Sequence, residues 1–265
     1  MKWLIFGVAL SAATIAHSQV DPWNFRGQFP QFRDLSGLPG AGFGLTSKGQ
    51  PSIEGAMAIS TPIGFSLAPG TFDIGISNRS VNNQPRFFEM SSTGNDISSG
   101  TGQVMAGFRT PIGTLTISLE VLSTQLDSVA NAQLQLPLSW DKGGVSIGIQ
   151  NIWNRPEAAS QDVVGERDLS RSVFAVATYE VEKGAFLTLG DGDVRFRGVF
   201  GSISAMPAKR FKLLAEYDTF GWNPAIAYSL GQVPNLGTHY DKNEATIAFS
   251  LIQCHRSTLT VNFAF

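Results

Sequence analysis

The sequence predicts an all-β chain that closes into an antiparallel transmembrane β-barrel after a cleaved signal peptide. Three observations carry that expectation: an export-type N-terminus, apolar and polar residues that alternate along much of the chain, and a final alternating segment that ends on Phe265. Successive side chains of a strand point to opposite faces, so strict alternation gives one apolar face and one polar face.

At the N-terminus, Lys2 supplies a positive start, residues 4–16 an apolar stretch, and Ala16, His17 and Ser18 a small-residue cleavage site. The signal peptide is therefore read as 1–18. Gly7 and Ser11 interrupt the apolar stretch, which is too short to span a bilayer comfortably. Elsewhere no apolar run approaches the roughly 18 residues of a membrane helix, although 43% of the residues are apolar and only 15% charged. The formal net charge is −2 with no basic tract, which argues against nucleic acid as a partner.

Residues 19–40 form the second region. They carry Trp23, Phe25, Arg26, Phe29, Phe32 and Arg33, and are expected to lie in the periplasm or to plug the lumen. Residues 41–265 are then the barrel.

Alternation places its strands. Leu115, Ile117, Leu119 and Val121 fall on one face and Thr116, Ser118 and Glu120 on the other; Val145, Ile147 and Ile149 alternate with Ser146, Gly148 and Gln150. Fourteen strands follow, near 41–48, 53–62, 70–79, 103–110, 114–123, 130–139, 144–152, 171–181, 185–190, 195–206, 210–218, 223–230, 245–252 and 257–265, with twelve as the alternative. An even count puts both termini on the periplasmic side. A recurring proline phrase supports the parse. Thr61-Pro62-Ile63-Gly64 and Thr110-Pro111-Ile112-Gly113 are copies of it, with looser versions around Pro137 and Pro207. Proline cannot donate to a ladder, so these read as four periplasmic turns. The longer polar segments 80–102 and 153–170 fall outside.

In the last strand, Leu259, Val261, Phe263 and Phe265 share one face while Thr258, Thr260, Asn262 and Ala264 share the other. An amphipathic strand ending in phenylalanine resembles the C-terminal assembly signal of outer-membrane barrels, which implies outer-membrane lipid and the barrel-assembly machinery as partners. A soluble periplasmic β-sandwich would show a similar final strand.

Phe200 to Pro207, then Leu213-Leu214-Ala215-Glu216-Tyr217-Asp218 and Trp222-Asn223-Pro224-Ala225, resemble the repeated hairpin of the YjbH-like outer-membrane proteins. Residues 35–44, with Ser36-Gly37-Leu38-Pro39-Gly40, resemble that family's opening. The resemblance covers about a quarter of the chain. It implies a part in exopolysaccharide production or export, with a polysaccharide or a secretion component as partner.

The residues themselves offer no catalytic constellation and no cofactor site. Glu216 and Asp218 lie two apart and face one side; with Glu120, Gln150, Arg195 and Arg197 they read as polar residues lining a lumen. Gly190-Asp191-Gly192-Asp193 lacks the spacing and closing glutamate of a calcium loop and reads as a tight turn. His239 and His255 show no metal or nucleophile spacing. Cys254, a lone thiol, reads as a small buried residue. Function is accordingly expected to be a non-catalytic envelope role. The alternatives are a monomeric porin or an uptake channel for lipids or other hydrophobic compounds, and a soluble periplasmic binding protein.

Overall fold

The computed structural model describes residues 30–81, 84–85, 100–122, 128–138, 140–154, 170–232, 244–254 and 256–265. The expected signal peptide, residues 19–29, His239 and His255 lie outside the described residues.

A short helix, α1 (Pro30–Asp34), precedes strands β1 (Phe72–Val81), β2 (Gln84–Pro85), β3 (Gly100–Thr110), β4 (Gly113–Val121), β5 (Ser128–Gln135), β6 (Gly143–Gln150) and β7 (Ser172–Glu182). They are followed by β8 (Ala185–Gly192), β9 (Gly198–Ala208), β10 (Phe211–Tyr217), β11 (Trp222–Gln232), β12 (Glu244–Ile252) and β13 (Arg256–Ala264). β2 merely extends a hairpin from β1. The other twelve pair antiparallel with their neighbours in chain order, and β13 closes on β1 from Asp73↔Ala264 to Arg79↔Thr258. Phe72 and Phe265 exchange backbone hydrogen bonds of 2.7 and 2.9 Å and stack at 6.0 Å, so the closure extends to the last residue. A closed barrel has no unpaired edge.

Twelve strands, not fourteen, therefore form the wall. The two earliest expected strands, 41–48 and 53–62, make only isolated bridges: Ala41↔Ala58, Leu45↔Pro51 and Leu45↔Ala56. Local chemistry explains the difference. Gly42, within 41–48, takes φ of +77°, and Gly40 and Gly49, which border that range, take +88° and +74°; an extended strand does not allow these values. Beyond Glu54, residues 53–62 also lack an exposed face: Met57, Ala58, Ile59, Ser60 and Thr61 are all buried. A wall strand buries one face and exposes the other, and this segment buries both.

The alternation expected of the wall is present. On β4, Ile117 and Leu119 are exposed while Thr116, Ser118 and Glu120 are buried. On β13, Phe263 is exposed while Thr258, Thr260 and Asn262 are buried. The wall is apolar on its outer face and largely polar on its inner face, apart from inward apolar residues such as Met105, Phe174, Phe186 and Leu214. Aromatic side chains flank the apolar band. Phe72, Phe108, Trp140, Tyr179 and Phe211 stand exposed toward one end, and Trp153 toward the other.

That first end is the turn end, with tight connections at Pro111–Ile112, Lys183–Gly184 and Lys209–Arg210, together with the C-terminus. The opposite, loop end holds the connections at 193–197, 218–221 and 253–254 and the openings of segments 82–99 and 155–169. Of the four proline turns, Pro111 occupies a turn, Pro137 follows β5 and Pro207 sits within the end of β9. Pro62 joins no two wall strands, because it belongs to the chain inside the barrel. β11 ends and β12 begins at the turn end, and residues 233–243 between them lie outside the described residues. Cys254 is exposed in the turn after β12, not buried as expected, because the chain reverses there with Gln253 and Cys254 at φ of +53° and +56°.

Candidate functional site: the luminal strap and its clamps

Residues 30–71 run through the barrel as a strap of three traverses. The first begins at the loop end, where Phe32 packs with Leu122, Val129 and Phe220. It descends to the turn end, where Ser47 Oγ donates to the Asp141 carbonyl at 3.3 Å. The second climbs from Ile53 back to Ser60, which meets Glu216 and Arg195 at the loop end. The third descends through Gly64 and Leu67 to Thr71, whose carbonyl accepts from Gly107 N–H on the turn-end part of β3, and continues into β1. An apolar knot within the strap, including Phe43, Leu45, Ile63, Phe65 and Leu67, packs on Met105 and Phe186 of the wall.

A buried chain outside any ladder must still satisfy its N–H and C=O groups. Part of this is done within the strap, as where Leu45 and Ala56 exchange backbone hydrogen bonds of 2.8 and 2.7 Å, and part by wall side chains. Gln133 Nε2 donates to the carbonyls of Ile63 and Phe65 at 2.8 and 2.9 Å. Thr178 Oγ1 and Thr116 Oγ1 accept from the N–H groups of Gly64 and Leu67, each at 2.8 Å. Near the first traverse, Gln150 Nε2 donates to the Ser36 carbonyl at 2.6 Å, and Ser118 Oγ and Asn131 Nδ2 donate to the Gly37 carbonyl. A Cβ on Gly37 would stand 2.4 Å from Glu120 Oε2, so glycine is required there for both its φ and its clearance.

Two clamps involve charge. At the turn end, Lys212 Nζ donates to the carbonyls of Ile53, at 2.8 Å, and Gly55, while Glu244 Oε2 accepts from Ile53 N–H at 2.8 Å. At the loop end, the Glu216 carboxylate accepts from the backbone N–H groups of Ile59 (2.8 Å), Ser60 (3.1 Å) and Thr61 (3.1 Å). It also accepts from the hydroxyls of Ser60 and Thr61 and from Asn223 Nδ2. Three successive N–H groups converging on one anion form a backbone nest. Beside it, Arg33 of the strap pairs through Nε with Asp218 Oδ2 at 2.9 Å, and Arg195 Nη2 donates to the Ser60 and Phe32 carbonyls at 2.6 and 3.2 Å. Burial alone would raise the Asp218 carboxyl, but the Arg33 guanidinium, Asn223 and Arg195 outweigh it and hold Asp218 below the usual carboxylate range. Burial lowers Arg195 to about 10 against the pull of Asp218 and Glu216, so it remains a cation at neutral pH.

The expected lumen-lining residues thus divide. Glu120, Gln150 and Glu216 are buried and face the strap from wall strands. Asp218 and Arg195 are also buried, but they sit in loop-end turns beyond β10 and β8. Arg197 does not line the lumen: it is exposed, with its guanidinium 5.3 Å from the centre of the Phe220 ring. The turn at 193–197, with Arg197 at φ +51°, delays β9 until Gly198 and places Arg195 and Arg197 differently. Lys212, Glu244, Gln133, Thr178 and Asn223 went unrecognised from sequence, although each occupies an inward position of its strand. Among the described residues, no group of three or more His, Cys, Asp or Glu could hold a metal ion.

No protein-family description and no curated protein matches the chain. Among solved structures, a KdgM porin in complex with disordered oligogalacturonate matches at 8% identity with a TM-score of 0.44, over 74% of this chain and 98% of that one. A KdgM porin matches at 9% identity with a TM-score of 0.42 over the same shares.

Proposed function

We propose that the protein is an outer-membrane channel held closed by its own N-terminal strap. The carrying observation is how the strap is attached. Its contacts with the wall are mostly made by wall side chains, while the twelve-stranded ladder closes on itself without it. The strap can therefore leave and the barrel remain, with a polar wall that water can wet. The apolar exterior supports a membrane location, since exposed apolar area on this scale is not stable in water, and outer-membrane lipid is its partner. Insertion by the barrel-assembly machinery, with Leu259, Val261, Phe263 and Phe265 as the signal, belongs to the same proposal.

Planar-bilayer recording tests it. The full chain should show little steady conductance, and a variant lacking residues 35–65 should open in discrete steps. A deletion variant that folds, judged by heat-modifiable gel migration, yet does not conduct would refute the channel. A polysaccharide strand could pass only after the strap has moved, so this recording comes before any test of the exopolysaccharide role that the YjbH-like resemblance implies.

A further inference from the structure

The number of strap traverses is odd, and that fixes which mouth the chain enters. β1 begins at the turn end, beside the C-terminal Phe265. Followed backwards from Thr71, the chain rises to Ser60 at the loop end, descends to Ser47 at the turn end and rises again to Arg33 at the loop end. The two loop-end stations share Arg195, and the turn-end station is tied separately to Asp141. Asp218 and Arg195, which hold Arg33 and the Phe32 carbonyl, both sit in loop-end turns. Asp141, which receives Ser47, sits in a turn-end connection. A two-traverse strap would have returned α1 to the turn end.

We propose that the strap starts, at Pro30, at the cell-surface mouth of the barrel, although Phe265 lies at the periplasmic end. This rests on the channel reading, in which the turn end faces the periplasm and the loop end the exterior. It follows that the barrel closes around a strap already threaded through it from the cell-surface mouth.

The native thiol supplies the orientation control. Cys254 is exposed in the loop-end turn between β12 and β13. Wild-type protein in intact cells should react with a membrane-impermeant maleimide through Cys254. A Cys254→Ser, Phe29→Cys variant, confirmed as folded by heat-modifiable migration, should react in intact cells to a similar extent. Labelling of Cys254 in intact cells without labelling at position 29 would overturn the threading while leaving the membrane orientation standing. Labelling of both positions only after permeabilisation would overturn the orientation, and the cell-surface start of the strap with it.

Discussion

The wall and the strap are built from the same residue types yet solve the buried-backbone problem in opposite ways. In the wall, strand backbones satisfy each other, leaving side chains free to divide into an apolar exterior and a polar interior. In the strap, backbone groups are satisfied partly by the strap's own turns and bridges, such as Leu45 with Ala56, and partly by wall side chains, and residues from Phe32 to Leu45 are buried almost without interruption. The wall thus tolerates many substitutions that preserve alternation. The strap depends on a few polar side chains that lie more than a hundred residues away in sequence, such as Glu216.

Glu216→Ala should separate the two regions most sharply. It leaves three backbone N–H groups without their anion, and loss of one partner in a buried charged network costs about 3–5 kcal/mol. The expected outcome is strap release, read as protease cleavage within 53–62 and raised conductance, with the barrel still heat-modifiable. An unchanged closed state would show that the apolar knot, not the clamp, holds the strap.

Val261→Arg probes the wall, where Arg facing lipid near the midplane costs about 2–4 kcal/mol. A water-filled lumen would make Thr260→Arg much milder. The strap removes that option: a Cβ on Gly42 would stand 2.7 Å from Thr260 Cγ2, so Thr260→Arg should cost about 1–3 kcal/mol through overpacking. Unfolding midpoints in lipid vesicles measure both. A silent Thr260→Arg would mean that the strap does not fill this part of the lumen.

Asp218→Asn should weaken strap closure by about 1.5–3 kcal/mol, the range for a hydrogen bond to a charged group. Because the folded carboxyl is held below its ordinary value, the pair contributes fully above about pH 3.9 and is lost only as pH falls through the lower folded value. Conductance of the wild type should therefore show no step attributable to Asp218 between pH 7 and pH 5; a step there that Asp218→Asn abolishes would contradict the depressed carboxyl. The smallest effect is expected for Arg197→Ala, whose exposed stacking on Phe220 is worth about 0.5–1 kcal/mol. A larger loss in the unfolding midpoint would place Arg197 in the loop-end clamp.

The Glu216-Tyr217-Asp218 phrase shows how far the sequence could be read. Alternation alone places Glu216 inward and Tyr217 outward, where its ring meets Trp222 at 5.6 Å. Sequence cannot show that the carboxylate meets Ile59, Ser60 and Thr61, because that contact spans more than 150 positions and follows no period.

The sequence by itself determined the wall: twelve of the fourteen expected strands coincide with it within a few residues, because a strand between lipid and a polar lumen imposes a period of two. It also carried a reason for the misplaced strand 41–48, in Gly42 and the bordering Gly40 and Gly49. Tertiary structure alone decided that residues 41–71 lie inside with 30–40, that the strap crosses the lumen three times and that Glu216, Lys212 and Gln133 hold it. A chain buried on every side has no periodic constraint to display, and its partners are chosen by the closure of the barrel around it.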